Sequence, residues 1–337
     1  MKTIIFFNIK GGVGKTTLAY HTAYMFAELG HRCLAVDLDP QANLTAMFLP
    51  DSELERIYSQ DRNRETLISG IRPSEEGVGD IAPVKVHEIS NNIGLLAGDL
   101  DLAHFEDALN LNWGKCLNGD EAALRMVTSI YRIIQNAAKS MEAEYCIIDV
   151  SPTFTALNRS AMISADFVVV PVSADQYSIH GIQILGNKLN MWRSEWKELY
   201  EKNKEPEPIM PTGEMKAIGY IVTSYRTYQN QPVMPVLNWI NKIPAFFHEY
   251  VLCEKDLSEY NIDTDTYCLA LLKHYHSLIP MAMEVRKPIF LLKPADGAIG
   301  AHYQAVLRAY QDFKALSEKI LKRTRIKAGV AVKKVKS

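Results

Sequence analysis

The stretch Ile4-Ile5-Phe6-Phe7-Asn8-Ile9-Lys10-Gly11-Gly12-Val13-Gly14-Lys15-Thr16-Thr17 decides how this chain is read. Its first four residues form an apolar run of strand length, and a helical pattern follows over residues 18–29. A strand, a glycine-rich turn and a helix N-terminus, in that order, turn a phosphate-loop match into a site. Glycines at 11, 12 and 14, with Val13 between, let backbone N–H groups crowd around a polyphosphate, and the helix dipole adds positive potential. There Lys15 neutralises terminal phosphates, the Thr16 hydroxyl faces Mg2+, and Thr17 completes the loop. Lys10, a further lysine at the head of the loop, goes beyond what a generic nucleotide site needs.

Two more clusters extend this chemistry. Val36-Asp37-Leu38-Asp39-Pro40-Gln41 ends a second apolar run, with carboxylates at alternate positions. Beside a phosphate loop, one can hold the water shell of Mg2+ while the other orients the water that attacks the γ-phosphate. Asp-Pro is also a common turn starter, so the pair gains its meaning from the loop that precedes it. Tyr145-Cys146-Ile147-Ile148-Asp149-Val150-Ser151-Pro152 places a third carboxylate at the end of a buried run. Such an Asp suits the Mg2+ shell, and equally a loop cap, until it is combined with the other two clusters.

The rest of the chain sets the frame. Its 337 residues are 47% hydrophobic and 23% charged, enough for a substantial core in a soluble α/β protein. Five scattered cysteines without a CxxC pair argue against a disulfide framework or a zinc site. Met1 leads directly into the first apolar run and no run approaches the roughly 18 residues of a bilayer span, so a cytoplasmic protein is expected. Strands are predicted over residues 3–8, 33–37, 93–97, 145–149, 167–171 and 217–223, alternating with helices, which calls for a mostly parallel sheet covered on its faces. Residues 51–89 read as a helical excursion, 195–215 as an exposed connection and 231–275 as an expanded helical segment. The division expected is one phosphate-loop domain over 1–320 and a basic, flexible tail over 321–337. Trp192 and Trp196 read as a helix seal, His274 and His276 as surface residues, and Tyr225, Arg226 and Tyr228 as candidates to approach a base.

Taken together, the lysine-headed loop, the Asp37/Asp39 pair and Asp149 resemble the ParA/MinD family of deviant Walker ATPases, on the ParA side because of Asp39-Pro40-Gln41 and the basic tail. Residues 95–102, 165–172, 219–223 and 286–289 resemble later elements of that family. The resemblance implies a P-loop NTPase fold with ATP and Mg2+ as cofactors. It implies that Lys10 reaches across a nucleotide-dependent sandwich homodimer to the partner's phosphates, and that Lys15 and Thr16 contact phosphate and Mg2+. It further implies that Asp39 positions the hydrolytic water, Asp37 supports it, and Asp149 joins Thr16 at the metal shell. Ser151-Pro152 departs from the two prolines more usual in the family. A slow ATPase, stimulated by a ParB-like or other adaptor, would follow.

Charge distribution suggests the other partner. From Lys319 onward there are eight basic residues and no acid, leaving 29 basic against 39 acidic residues in the body. A basic end on an acidic body suits a polyanion, and non-specific DNA is the expected partner, through Lys314, Lys319, Lys322, Arg323, Arg325 and Lys327. The ATP-bound form would then associate with the nucleoid. A solvated tail, a MinD-like membrane helix or a protein cargo are the alternatives; the tail lacks Trp, Phe or Leu beyond Leu321, which disfavours the membrane. A small-molecule synthetase or reductase on the same loop is the remaining class, and no paired cysteines serve an iron–sulfur cluster.

Overall fold

Alternation along each apolar run assigns successive side chains to opposite faces of a sheet. In β1 (Lys2–Phe6) and the residue after it, Ile5 and Phe7 enter one core while Ile4 and Phe6 enter the other. The computed structural model describes residues 1–59, 64–203, 209–225, 227–228, 231–232, 234–255, 260–275 and 277–325. Among these, β2 (Cys33–Asp37), β3 (His87–Ser90), β4 (Ile93–Leu96), β5 (Tyr145–Asp149), β6 (Phe167–Ser173), β7 (Lys216–Tyr225) and an edge strand, Cys268–Lys273, complete an eight-stranded sheet. Its order is edge strand, β7, β6, β1, β5, β2, β4, β3, and only the β3–β4 pairing is antiparallel. This is a P-loop NTPase fold, as expected.

Helices cover both faces. On one lie α1 (Lys15–Glu28) and the long C-terminal helix Ala301–Thr324; on the other lie Leu102–Leu117, Ser129–Ser140, Ala156–Ile163 and Gln176–Lys202. Burial on both faces is why β1, β2 and β5 read as continuous apolar runs. Between β2 and β4 the chain builds α2 (Asn43–Phe48), α3 (Asp51–Tyr58) and α4 (Leu67–Glu75) before adding β3 at the edge.

Three segments differ in detail from the sequence reading. The stretch 51–89 is helical through α4 but ends in β3, whose half-exposed edge position leaves only a weak apolar signal. Residues 231–275 likewise end in a strand, Cys268–Lys273, which joins β7 in parallel through two register shifts. The stretch 195–215 begins inside the helix Gln176–Lys202, where Trp192 and Trp196 are buried. The Trp196 indole N–H then donates to the Pro211 carbonyl at 2.9 Å, so the connection is tied down where it returns to the sheet. Pro206 and Pro208 lie outside the described residues, as do Arg226, His276 and Lys327.

Candidate functional site

Parallel pairing brings the chemical residues together. β1, β5 and β2 are neighbours, and the register sets Asp37 directly beside Asp149. The phosphate loop leaves the same end of β1. Asn8, fully buried, anchors its start: its side-chain N–H donates to the Pro171 carbonyl on β6 at 2.6 Å, and its side-chain oxygen accepts the Lys10 N–H at 3.1 Å. Gly12 and Gly14 hold φ of 73° and 81°, left-handed values that an L side chain rarely adopts. From the far side, the Thr223 hydroxyl at the end of β7 donates to the Val13 carbonyl at 2.9 Å.

Lys15 is 7% exposed and begins α1. Burial pulls its pKa down, and the Asp149 and Asp39 carboxylates pull it back. Asp149 is fully buried, and neither of its oxygens has a hydrogen-bond partner among the described residues. Burial first, and then the adjacent Asp37 carboxylate, push its pKa upward; the Thr16 hydroxyl and Lys15 oppose this. An unpaired carboxylate in the core is expensive unless something cationic completes it. The donor set therefore fits a hard divalent cation: the Asp149 carboxylate and the Thr16 hydroxyl are oxygen ligands of the kind Mg2+ takes, directly or through its waters. Asp37 is placed differently. One of its oxygens accepts the Thr45 N–H and O–H, both at 2.8 Å, and the other accepts the Asp39 N–H at 3.2 Å. Asp37 thus holds the start of α2, next to Asp149, with most of its capacity already used. Asp39, 7% exposed, accepts the Gln41 N–H at 3.0 Å through one oxygen, and its charge acts on Lys15.

Lys10 has a partner that sequence reading missed. Its ammonium forms an ion pair with Asp175, the N-cap of the helix Gln176–Lys202, whose other oxygen accepts the Ser178 N–H at 3.0 Å. Burial pushes the Asp175 carboxyl up, but Lys10 and Ser178 outweigh it and hold the pKa below the usual range. Asp before Gln-Tyr-Ser is a readable N-cap signal; its closeness to Lys10 is not, since 165 residues separate them.

A cavity of about 570 Å³ opens beside the loop. It is lined by Gly12, Gly14, Thr16 and Thr17 of the loop and α1 and, from later in the chain, by Thr223, Lys273, His274, Tyr275, Arg286 and Ile289. His21 and Phe313 also line it. His21 is fully enclosed: Nδ1–H donates to the Thr17 carbonyl at 2.7 Å and Nε2 accepts the Ile289 N–H at 3.1 Å, while the ring stacks on Phe313 at 4.7 Å. Burial pushes its pKa down to about 4, so this histidine is a neutral bolt between α1 and the C-terminal segment.

The model of an AAA domain family, AAA_31, matches residues 1–201. A ParA-family protein of a Chlamydia psittaci virulence plasmid, pGP5-D, is 27% identical over 232 residues, 66% of this chain and 80% of that protein. The cell division protein PomZ of Myxococcus xanthus is 32% identical over 185 residues, 54% of this chain and 49% of PomZ, so the match spans about half of that relative. The chain belongs to the ParA/MinD-type ATPases. In fold, this ParA-type chain is similar to the crystal structure of DIP2308 from Corynebacterium diphtheriae, with a TM-score of 0.70 and 20% identity over 96% of this chain and 99% of that one.

The DNA residues expected on this ParA-type chain divide in two. Arg323 is committed: its guanidinium donates to the Ile218 carbonyl at 2.7 Å and to the Thr266 carbonyl, and lies 4.5 Å over the Tyr267 ring. Lys319, Lys322 and Arg325 are exposed and Lys314 is half-buried, all on the last helix or just past it, and Lys319 makes one long hydrogen bond, to the Cys268 carbonyl at 3.4 Å. No described helix is long and apolar enough to cross a membrane.

Proposed function

We propose that this chain is a partition or positioning ATPase that binds ATP with Mg2+ and hydrolyses it slowly. It closes into a homodimer over the nucleotide and holds DNA non-specifically in that state. The observation that carries the reading is Asp149: a fully buried carboxylate whose oxygens have no hydrogen-bond partner among the described residues, within electrostatic reach of Thr16 and Lys15 at a lysine-headed phosphate loop. Lys15 and the loop N–H groups bind the phosphates, Thr16 and Asp149 hold the cation, and Asp39 orients the attacking water. Magnesium, when bound, neutralises charge that develops between the β- and γ-phosphates. Lys10, half-exposed on its pair with Asp175, is available to the phosphates of a second chain. The exposed cations Lys319, Lys322 and Arg325 supply a footprint that doubles on dimerisation, and affinity for DNA rises steeply with the number of phosphates neutralised. A ParB-like or other adaptor would stimulate hydrolysis, and the cargo would be a plasmid, a chromosome or another cellular body.

Sedimentation of the purified chain with Mg2+-ATPγS, Mg2+-ADP or neither, followed by retention on random-sequence DNA, tests this directly. Dimer and DNA retention are expected with ATPγS alone. A chain that stays monomeric with ATPγS, or binds DNA equally in all three states, overturns the coupling. Retention on anionic liposomes instead would favour the MinD-like alternative.

A further inference from the structure

Thr45 lies in α2, is fully buried, and has a hydroxyl with two distinct partners. It donates to the Asp37 carboxylate at 2.8 Å and accepts the Gly98 N–H at 2.9 Å. Gly98 follows β4 and presses on the same carboxylate: a Cβ there would stand 2.9 Å from the Asp37 carboxyl carbon. The Gly98 carbonyl accepts the Tyr58 hydroxyl from α3 at 3.1 Å. Its neighbour Asp99, also buried, accepts from the Thr66 hydroxyl at 2.7 Å and from Arg64 at 2.9 Å.

The geometry points to Thr45 as a positioning residue for ATP hydrolysis, tying the Asp37 carboxylate to the Gly98–Asp99 loop and thereby setting where Asp39 stands. This rests on the ATPase reading above and adds a residue to it. The chain of contacts is short. Asp37 receives the Asp39 N–H, so any shift of the Asp37 carboxylate moves the backbone that carries Asp39. Asp37 is itself held from α2 by Thr45 and crowded by Gly98. The excursion between β2 and β4 therefore reaches the Asp37 carboxylate through the Thr45 N–H and hydroxyl, and only the hydroxyl also ties it to Gly98, with Tyr58 and Arg64 bracing the far side. None of these contacts touches the phosphate loop, so the effect should fall on turnover rather than on nucleotide binding.

The test uses the full chain. Thr45→Val keeps the shape and the backbone N–H but removes the hydroxyl. Misplacing a catalytic group by about 1 Å costs on the order of 100-fold, so a fall of about 10-fold or more in kcat is expected, with KM for ATP and ATPγS affinity within about threefold. Thr45→Ser restores the donor and acceptor and should recover at least about half of wild-type kcat. Gly98→Ala, which pushes on Asp37 from the other side, should repeat the Val phenotype, and it decides the matter if Thr45→Val does not fold. Three results overturn the inference in an active wild-type background: an unchanged kcat in both Thr45→Val and Gly98→Ala, a loss of ATPγS affinity in step with kcat, or a Ser variant no better than Val. A wild-type chain with no ATP hydrolysis overturns the ATPase reading, and this inference with it.

Discussion

Replacing Asp175 by Asn should tighten nucleotide-dependent dimerisation. In the single chain Lys10 is paired with Asp175, and the dimer reading requires Lys10 to turn to the partner's phosphates instead. The side chains are 30% and 36% exposed, so solvent screens the pair and its worth is that of a surface ion pair, about 0.2–1 kcal/mol. Two such pairs open per dimer, so removing them shifts the dimerisation constant by between about 2-fold and about 30-fold, taking RT near 0.6 kcal/mol. Asn is the right substitution because Asp175 also caps the helix Gln176–Lys202 through Ser178, and Asn caps about as well as Asp. Asp175→Ala, by contrast, should lose about 1 kcal/mol of stability as well. Sedimentation equilibrium with Mg2+-ATPγS gives the constant, and isothermal titration of nucleotide gives a control. The gain should shrink in high salt, which screens the wild-type pair. Equal or weaker dimerisation by Asp175→Asn, with nucleotide affinity intact, would refute the idea that this pair competes with the dimer.

Asp149→Asn should raise the melting temperature of the nucleotide-free chain, worth about 1–2 kcal/mol, because it removes a buried carboxylate whose charge is disfavoured by desolvation and by the adjacent Asp37. The same variant should lose most of the stabilisation that Mg2+-ATP gives the wild type, and thermal melts with and without nucleotide check both halves. His21 supplies a pH signature. Its folded pKa of about 4 lies below the unfolded value, so protons favour the unfolded chain and stability is lost as pH falls from about 6.5 toward 4. The full effect is about 3 kcal/mol, and the non-titrating His21→Gln variant, less stable at pH 7, should converge with the wild type as the pH is lowered. At the C-terminal helix, Lys319→Glu with Lys322→Glu should weaken DNA retention and flatten its salt dependence. Arg323→Ala should act mainly on stability, because its guanidinium binds the Ile218 and Thr266 carbonyls. Retention slopes and melting curves together separate the two effects.

What could be read from the sequence was local. Lys10 to Thr17 announce themselves because a phosphate loop needs glycines, a lysine and a hydroxyl at set spacing directly after a strand, and six strands show as apolar runs because the sheet is buried on both faces. Asp37, Asp39 and Asp149 were visible as carboxylates at strand ends. The edge strands were not: His87–Ser90 buries little and carries a weak pattern, whereas the apolar run of Cys268–Lys273 merged with the helical reading of residues 231–275. Only the tertiary structure separated the three carboxylates by their surroundings: Asp37 bonded to Thr45, Asp39 bonded to the Gln41 N–H, and Asp149 beside Lys15 with no hydrogen-bond partner for its oxygens among the described residues. Only the tertiary structure paired Lys10 with Asp175, bolted His21 to Ile289 and set Gly98 against Asp37. The physical reason is the same for each. Spacing along the chain encodes strand, loop and helix, whereas desolvation and hydrogen bonding depend on which distant segments the parallel sheet brings to the same rim.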